Sequence, residues 1–263
     1  MIKIYKEVLS TIRNFDLWFN IAISKLRVRF IRTALGPIWE IIGTMVFLIF
    51  ITLIWSRLWG RAFFEYFGFL YTGYAIWKIM ATTITESTFL FSELYSNALK
   101  NMRCNPISFC LGNSLKNLLI LFLNLPIVII ITIYNDTISL NGILLMLIYL
   151  FLFFISATCV SFIVGTLCLK FRDLQYSVVV IMQLLFFMTP VIWDPQQISE
   201  KGRFFLVDTN IFYHYVEFFR SALLYGEVNK LSIIVVTIST LILMIVTFFL
   251  YAKIKNKIIF WVT

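Results

Sequence analysis

Three ionisable side chains in four positions, Lys170, Arg172 and Asp173 around Phe171, lie between apolar runs reaching from Leu144 to Leu169 and from Val178 to Val191. Charges at that density stay out of hydrocarbon unless paired, so the spacing predicts a tight turn at a membrane surface. Two basic residues put that turn on the cytoplasmic side. Elsewhere the polar chemistry is thin. Glu40 and Glu86 are the two acids inside the predicted spans, and Lys78 falls near the centre of one span, followed by Thr82 and Thr85. An ammonium at that depth costs at least ~2.5–3.5 kcal/mol. Lys78 is therefore expected to pair with Glu40 or Glu86, to line an aqueous path, or to snorkel to the surface.

Several chemistries are missing. No Gly-x-x-x-x-Gly-Lys-Ser/Thr phosphate loop exists, so the chain is not expected to hydrolyse ATP itself. His214 is the only histidine, and Cys104, Cys110, Cys159 and Cys168 lack metal-ligand spacing, so no metal site is expected and the thiols read as small hydrophobes. No Asp-x-Asp pair suggests a sugar-nucleotide transferase, and two intramembrane acids are too few for a pump-type proton relay. No catalytic residue is assigned.

The elements that would position these residues follow from composition. Of 263 residues, 61% are hydrophobic and 13% charged, about half the charge of a soluble domain. The formal charge of +9 would suggest nucleic acid in a soluble protein; here it reads as positive-inside bias, and no nucleic-acid partner is expected. The fold expected is an all-α integral membrane protein with six spans, at 34–55, 67–90, 111–133, 142–169, 175–192 and 231–251, preceded by a cytoplasmic segment 1–33 and followed by a tail 253–263. Inner segments carry the arginines and lysines, while the outer side is slightly acidic. Both termini are therefore expected to be cytoplasmic.

Three segments between the spans stand apart. Residues 15–32 predict a helix with an apolar stripe of Phe19, Ile23, Leu26 and Phe30 and a basic one of Lys25, Arg29 and Arg32, with Trp18 on the same helix. Such a helix lies in the headgroup plane against membrane lipids, or is a plain basic flank. Residues 92–105 are polar and helix-compatible, a docking surface or a loop. Residues 194–230 are rich in aromatics, with Phe212, Tyr215, Phe219 and Leu223 at helical spacing, and predict short helices re-entering the outer leaflet before the last span.

The order of features resembles the membrane subunit of ABC exporters for lipid-linked polysaccharide, the O-antigen, capsule and teichoic acid permeases. The matching residues are Arg32-Thr33-Ala34-Leu35-Gly36-Pro37-Ile38-Trp39, Phe171-Arg172-Asp173-Leu174, Met188-Thr189-Pro190-Val191-Ile192-Trp193 and Phe219-Arg220. The resemblance implies a homodimer in the inner membrane bound to two ATP-binding subunits. The chain would need no cofactor of its own, with ATP and Mg on the partner. It further implies a coupling helix at 92–105, with Glu93, Asn97, Lys100 and Arg103 meeting the ATPase beside Lys170, Arg172 and Asp173. A glycan path through the membrane needs wet and aromatic surface, and Trp77, Lys78, Phe186, Phe187, Trp193, Tyr213 and Tyr215 are expected to contribute. Two positions depart from the family's habit: Asn210 is followed by Ile211 rather than proline, and Trp77 by Lys78 rather than an aromatic. A permease of the same class for a drug or lipid, and a membrane-embedded enzyme of glycan or lipid synthesis, are the competing readings.

Overall fold

A computed structural model describes residues 2–94, 105–134, 137, 139–255 and 257–261, and these are helical with short connections, with no strand among them. Two helices open the chain, α1 (Ile2–Arg13) and α2 (Phe15–Phe30). The long helices are α3 (Ile38–Leu58), α4 (Phe63–Thr88), α5 (Pro106–Tyr134) and α6 (Leu140–Lys170). Helix α7 (Leu174–Met188) follows the charged turn. After it come the short α8 (Glu200–Arg203), α9 (Ile211–Leu224), the long α10 (Lys230–Ile254) and the short α11 (Ile258–Trp261). By length and composition α3, α5, α6 and α10 can each cross a membrane.

Helix α3 shows the sidedness a bilayer imposes. Its buried residues are Glu40, Thr44, Leu48, Thr52 and Ser56, a strict i, i+4 row in which four of five are polar. Val46, Phe47, Phe50, Leu53 and Ile54 point outward instead. Hydroxyls on such a row need an acceptor: Thr44 Oγ1 donates to the Glu40 carbonyl at 2.8 Å and Thr52 Oγ1 to that of Leu48 at 2.7 Å. The helix starts at Ile38 because Pro37 cannot continue it backwards and Gly36 has φ +55°. Arg32, at φ +64°, makes the preceding corner, so residues 31–37 turn the chain sharply between α2 and α3.

Helix α4 is the pole of the bundle, packed against α3, α5, α6, α7 and α9. Every residue from Tyr66 to Gly73 is buried. Protein rather than lipid surrounds it, which permits Lys78 and Glu86 in its lower half. Helix α2 lies against α5, with Ile21 and the Trp18 backbone so close to Gly112 that a Cβ there would collide with both. Cys110, Cys159 and Cys168 are free and buried, as small hydrophobes should be.

One end of the bundle gathers both ends of the chain. Glu7 of α1 pairs with Lys255 at 2.5 Å, and Asn105 donates to Thr11 Oγ1 and to the Tyr251 hydroxyl, each at 2.8 Å. Lys170 sits over the Trp261 ring at 6.0 Å, which brings the charged turn to the same end.

The opposite end is closed by a corner. Thr189, ahead of Pro190, is extended (φ −89°, ψ 136°), as the proline requires, and α7 stops. Three successive carbonyls lose their helical donors there, and each is taken by another element. Arg220 of α9 donates to Pro190 O at 3.1 and 3.2 Å and to Val191 O at 3.3 Å, and the Tyr66 hydroxyl donates to Ile192 O at 2.5 Å. Arg220 is 0% exposed, stacks 3.7 Å over Phe69 and lies against Gly73, where any Cβ would occupy the guanidinium's space.

Arg220→Met should therefore leave the Pro190 and Val191 carbonyls under-satisfied and Glu217 alone, lowering stability by about 3 kcal/mol or more. Gly73→Ala should act on the same lock by pushing the guanidinium out. Thermal unfolding in detergent checks both, and a Gly73→Ala protein with unchanged Tm would show that the packing yields there.

Candidate functional site

The polar groups buried inside the bundle converge at the end that holds Arg29 and the first turn of α3. Glu40 is the hub. Its Oε2 accepts from Arg29 of α2 at 2.7 Å, and its Oε1 lies 2.5 Å from Lys78 Nζ of α4. Lys78 also donates to Thr44 Oγ1 at 2.8 Å. Of the three fates open to Lys78, pairing with Glu40 is the one observed. One carboxylate thus serves two cations and joins three helices.

A second pair stands beside it. Lys116 of α5, almost fully buried, pairs with Glu86 of α4, and Asn117 Nδ2 donates to Thr83 Oγ1 at 3.0 Å and to Glu86 Oε2 at 3.4 Å. Lys25 reaches in from α2 to donate to Asn113 Oδ1 at 3.1 Å. Burial, with Lys116 nearby, pushes the Lys25 ammonium from the ordinary 10.5 down to about 8. Asn113, Lys116 and Asn117 share a face of α5 by their i, i+3, i+4 spacing. Higher up, the Tyr71 hydroxyl donates to Asn124 Oδ1 at 3.0 Å.

The remaining predicted residues are placed as follows. Trp18 is buried in the α2 contact, its Nε1 donating to Ile12 O at 3.2 Å, whereas Arg32 is exposed in the corner after α2. Lys170, Arg172 and Asp173 are exposed at the α6–α7 connection, with Lys170 Nζ 4.9 Å over the Phe171 ring. Glu93 belongs by its backbone to a π-helical turn, Leu90–Leu94, while Asn97, Lys100 and Arg103 lie outside the described residues. That turn is anchored. Phe91 is fully buried against Phe162 at 6.2 Å, and Gln175 of α7 donates to Thr88 O at 3.2 Å and Ser92 Oγ at 3.1 Å.

The aromatic residues separate. Trp77 is buried between Phe186 (5.8 Å) and Phe212 (5.7 Å), and the Tyr215 hydroxyl meets Ser239 and Thr240 at 3.2 and 3.1 Å, so both pack inside the chain. Phe187 is 69% exposed, and Trp193 Nε1 donates to its carbonyl at 3.0 Å. Tyr213 is half-buried beside His214, which bonds Ser232 and the Asp208 carbonyl at 3.1 and 3.0 Å.

Sequence reasoning missed two groups. Lys116, at the inner end of the expected span 111–133, is buried and paired; the Asn113, Asn117 face beside it is the signal that could have found it. Arg220, which entered only through the resemblance, is the most enclosed cation of the described chain and pairs with Glu217 at 3.6 Å, and the i, i+3 spacing of the two was the available clue. Burial holds the Glu217 carboxyl above its usual range against the pull of Arg220. A largely apolar groove of about 490 Å³ also runs between α4, α6, α7, α9 and α10, bordered by Met80, Phe153, Met182, Leu185 and Phe212, with Thr83, Ser156 and Ser239 among its lining. Among the described residues no group of His, Cys, Asp or Glu is arranged to hold a metal.

Long apolar helices with polar inner faces and paired charges define a multi-pass membrane protein. The chain belongs to the ABC-2 type transporter family, which matches it over residues 19–224. It is also 26% identical over 250 residues, 92% of this chain and 93% of the relative, to two proteins of Klebsiella pneumoniae, each an O-antigen export system permease protein RfbA. The chain is thus a transport membrane subunit rather than an enzyme, and the family implies a partner subunit that binds ATP.

Glu40→Gln should strip Arg29 and Lys78 of their shared counter-charge and cost roughly 1–3 kcal/mol. Glu40→Gln with Lys78→Met should recover most of that loss, giving a coupling above about 1 kcal/mol in a double-mutant cycle of unfolding. From pH about 8 to 10.5 the unfolded chain keeps the Lys25 proton that the folded chain has released, so folding stability rises with pH across that window. Lys25→Met should flatten the rise in a pH series of Tm.

Proposed function

We propose that this chain is the membrane half of an ATP-driven exporter that moves lipid-linked polysaccharide, of O-antigen, capsule or teichoic acid type, across the inner membrane. The observation that carries the reading is the end-to-end match to O-antigen export permeases, which reaches 92% of the chain. The working unit is a homodimer with two ATP-binding subunits, and ATP and Mg are bound by those partners. Six passages are assigned to α3, α4, α5, α6, α7 and α10, with both termini cytoplasmic and the segment from Asp194 to Lys230 re-entering the outer leaflet. Helix α4 has 26 residues, about 39 Å at helical rise, which is ample for a crossing. Helix α7, at 15 residues, is about 22 Å long and relies on the Thr189–Trp193 corner to complete its passage.

Partner closure on nucleotide would press on residues 92–105 and on the Lys170 turn. Gln175 ties the start of α7 to Thr88 and Ser92, so a push on either site reaches both α4 and α7. A rigid shift of packed helices then opens the path in the dimer. One feature favours a second reading, a permease of the same family for a lipid or drug: the apolar groove beside α7 suits a hydrocarbon chain and not a sugar.

Co-purification with the partner ATPase, and hydrolysis measured in nanodiscs, test the proposal. Lipid-linked glycan should raise turnover several-fold, and a hydrophobic drug or plain phospholipid should not; the reverse pattern would transfer the chain to the second reading. Replacing Glu93, Lys100 and Arg103 together by alanine should abolish export while the ATPase subunits still hydrolyse ATP, and unchanged export would refute the coupling role of 92–105.

A further inference from the structure

We propose that Arg29 and Lys78 form a binding site for the phosphate of a lipid headgroup, with Glu40 holding the two cations in place until that phosphate arrives. The inference rests on the export reading above and names the part of the cargo this site would take.

The charge count motivates it. Among the described residues, Arg29 and Lys78 share one carboxylate and Lys116 has Glu86, so these three cations face two carboxylates, with Lys25 on Asn113 beside them. The Lys116–Glu86 pair is balanced within itself, so it offers Arg29 and Lys78 no net counter-charge. A surplus positive charge at the margin of hydrocarbon is costly unless water or an anion meets it. Access is one-sided. The Glu40 side chain is 7% exposed, while those of Arg29 and Lys78 are 35% and 26% exposed. The carboxylate is at the back of the site and the cations are at its mouth.

The geometry selects an oxyanion. Glu40 offers one oxygen to each cation, at 2.7 and 2.5 Å, so the guanidinium and the ammonium are already bridged by two oxygens on one centre. A phosphate presents the same oxygen pair with more charge, about −1.5 to −2 as a monoester. Arg29 can fork onto it, Lys78 can meet it as a point charge, and Thr44 Oγ1 lies 2.8 Å from the ammonium as a further polar group.

The surroundings select a lipid over a free ion. The face of α3 beyond the cations is apolar and outward, with Ile38, Trp39, Val46, Phe47 and Phe50 exposed, and Phe47 rests on Tyr74 at 5.1 Å. An amphiphile can place its phosphate on Arg29 and Lys78 and its chain along that face. A soluble anion gains nothing from it.

The test uses the full-length chain in nanodiscs of zwitterionic lipid, titrated with dodecyl phosphate, dodecyl maltoside and inorganic phosphate. Dodecyl phosphate should bind saturably, at least 100-fold tighter than inorganic phosphate, and the neutral maltoside should not compete. Lys78→Gln and Arg29→Gln should each weaken it at least 10-fold, Glu40→Gln should tighten it, and Lys78→Arg should retain it, which separates loss of charge from loss of fold. Equal binding of dodecyl phosphate to wild type and Lys78→Gln would overturn the site. Equal affinity for inorganic phosphate would overturn its assignment to a lipid. Wild-type chain that binds dodecyl phosphate as described, yet fails to respond to lipid-linked glycan when joined to its ATPase, would sink the export reading and leave the site standing.

Discussion

A charge inside a helical membrane bundle is costly unless it is partnered, and this bundle is arranged around pairing four such groups, two of them buried. Glu40, Lys78, Glu86 and Lys116 lie on three neighbouring helices, and their pairs fix the rotation of α3, α4 and α5 about their own axes. Turning α3 by one residue, 100°, would carry Glu40 away from both cations and put its threonine row toward lipid. Side-chain packing alone would not set register so firmly, because lipid tails solvate leucine as well as another leucine does. Removing both members of a pair is therefore far cheaper than removing one.

Polar residues inside and apolar residues outside are the opposite of a soluble helix, and they explain why α3 and α4 differ. Helix α3 has lipid or a partner on one side and shows it in its exposed Val46, Phe50 and Ile54. Helix α4 is enclosed by five others, so it tolerates more polar sequence than a lipid-facing span does. The same logic holds Arg220 at the far end. Its guanidinium supplies the donors that the Pro190 and Val191 carbonyls lack once α7 has stopped, and it stacks on Phe69.

Much of this was legible in the sequence. Long apolar runs and the charge-dense turn at Lys170 marked helix limits because each is a local property of the chain, whereas the expected segment 175–192 ran through Pro190, where the helix has already stopped at Met188. Glu40 was visible as a partner for Lys78 because few acids were available at that depth. Which acid it chose was not visible, since that depends on how α3 leans against α4. The burial of Lys116 and Arg220 was not visible, because counting cations along a chain cannot tell an interfacial residue from one swallowed by neighbouring helices. The basic stripe of α2 read as facing headgroups or as a plain flank, and from it Lys25 and Arg29 also reach into the bundle, to Asn113 and Glu40.

Helix α7 is moored at its lower end by Gln175 and at its upper end by the corner that Arg220, Tyr66 and Asn210 grip, yet only Gln175 and Met182 along it are buried. A rod fastened at both ends, with most of its length uncovered between them, keeps its tips in register with the bundle while it offers its middle to whatever lies alongside, lipid or another subunit.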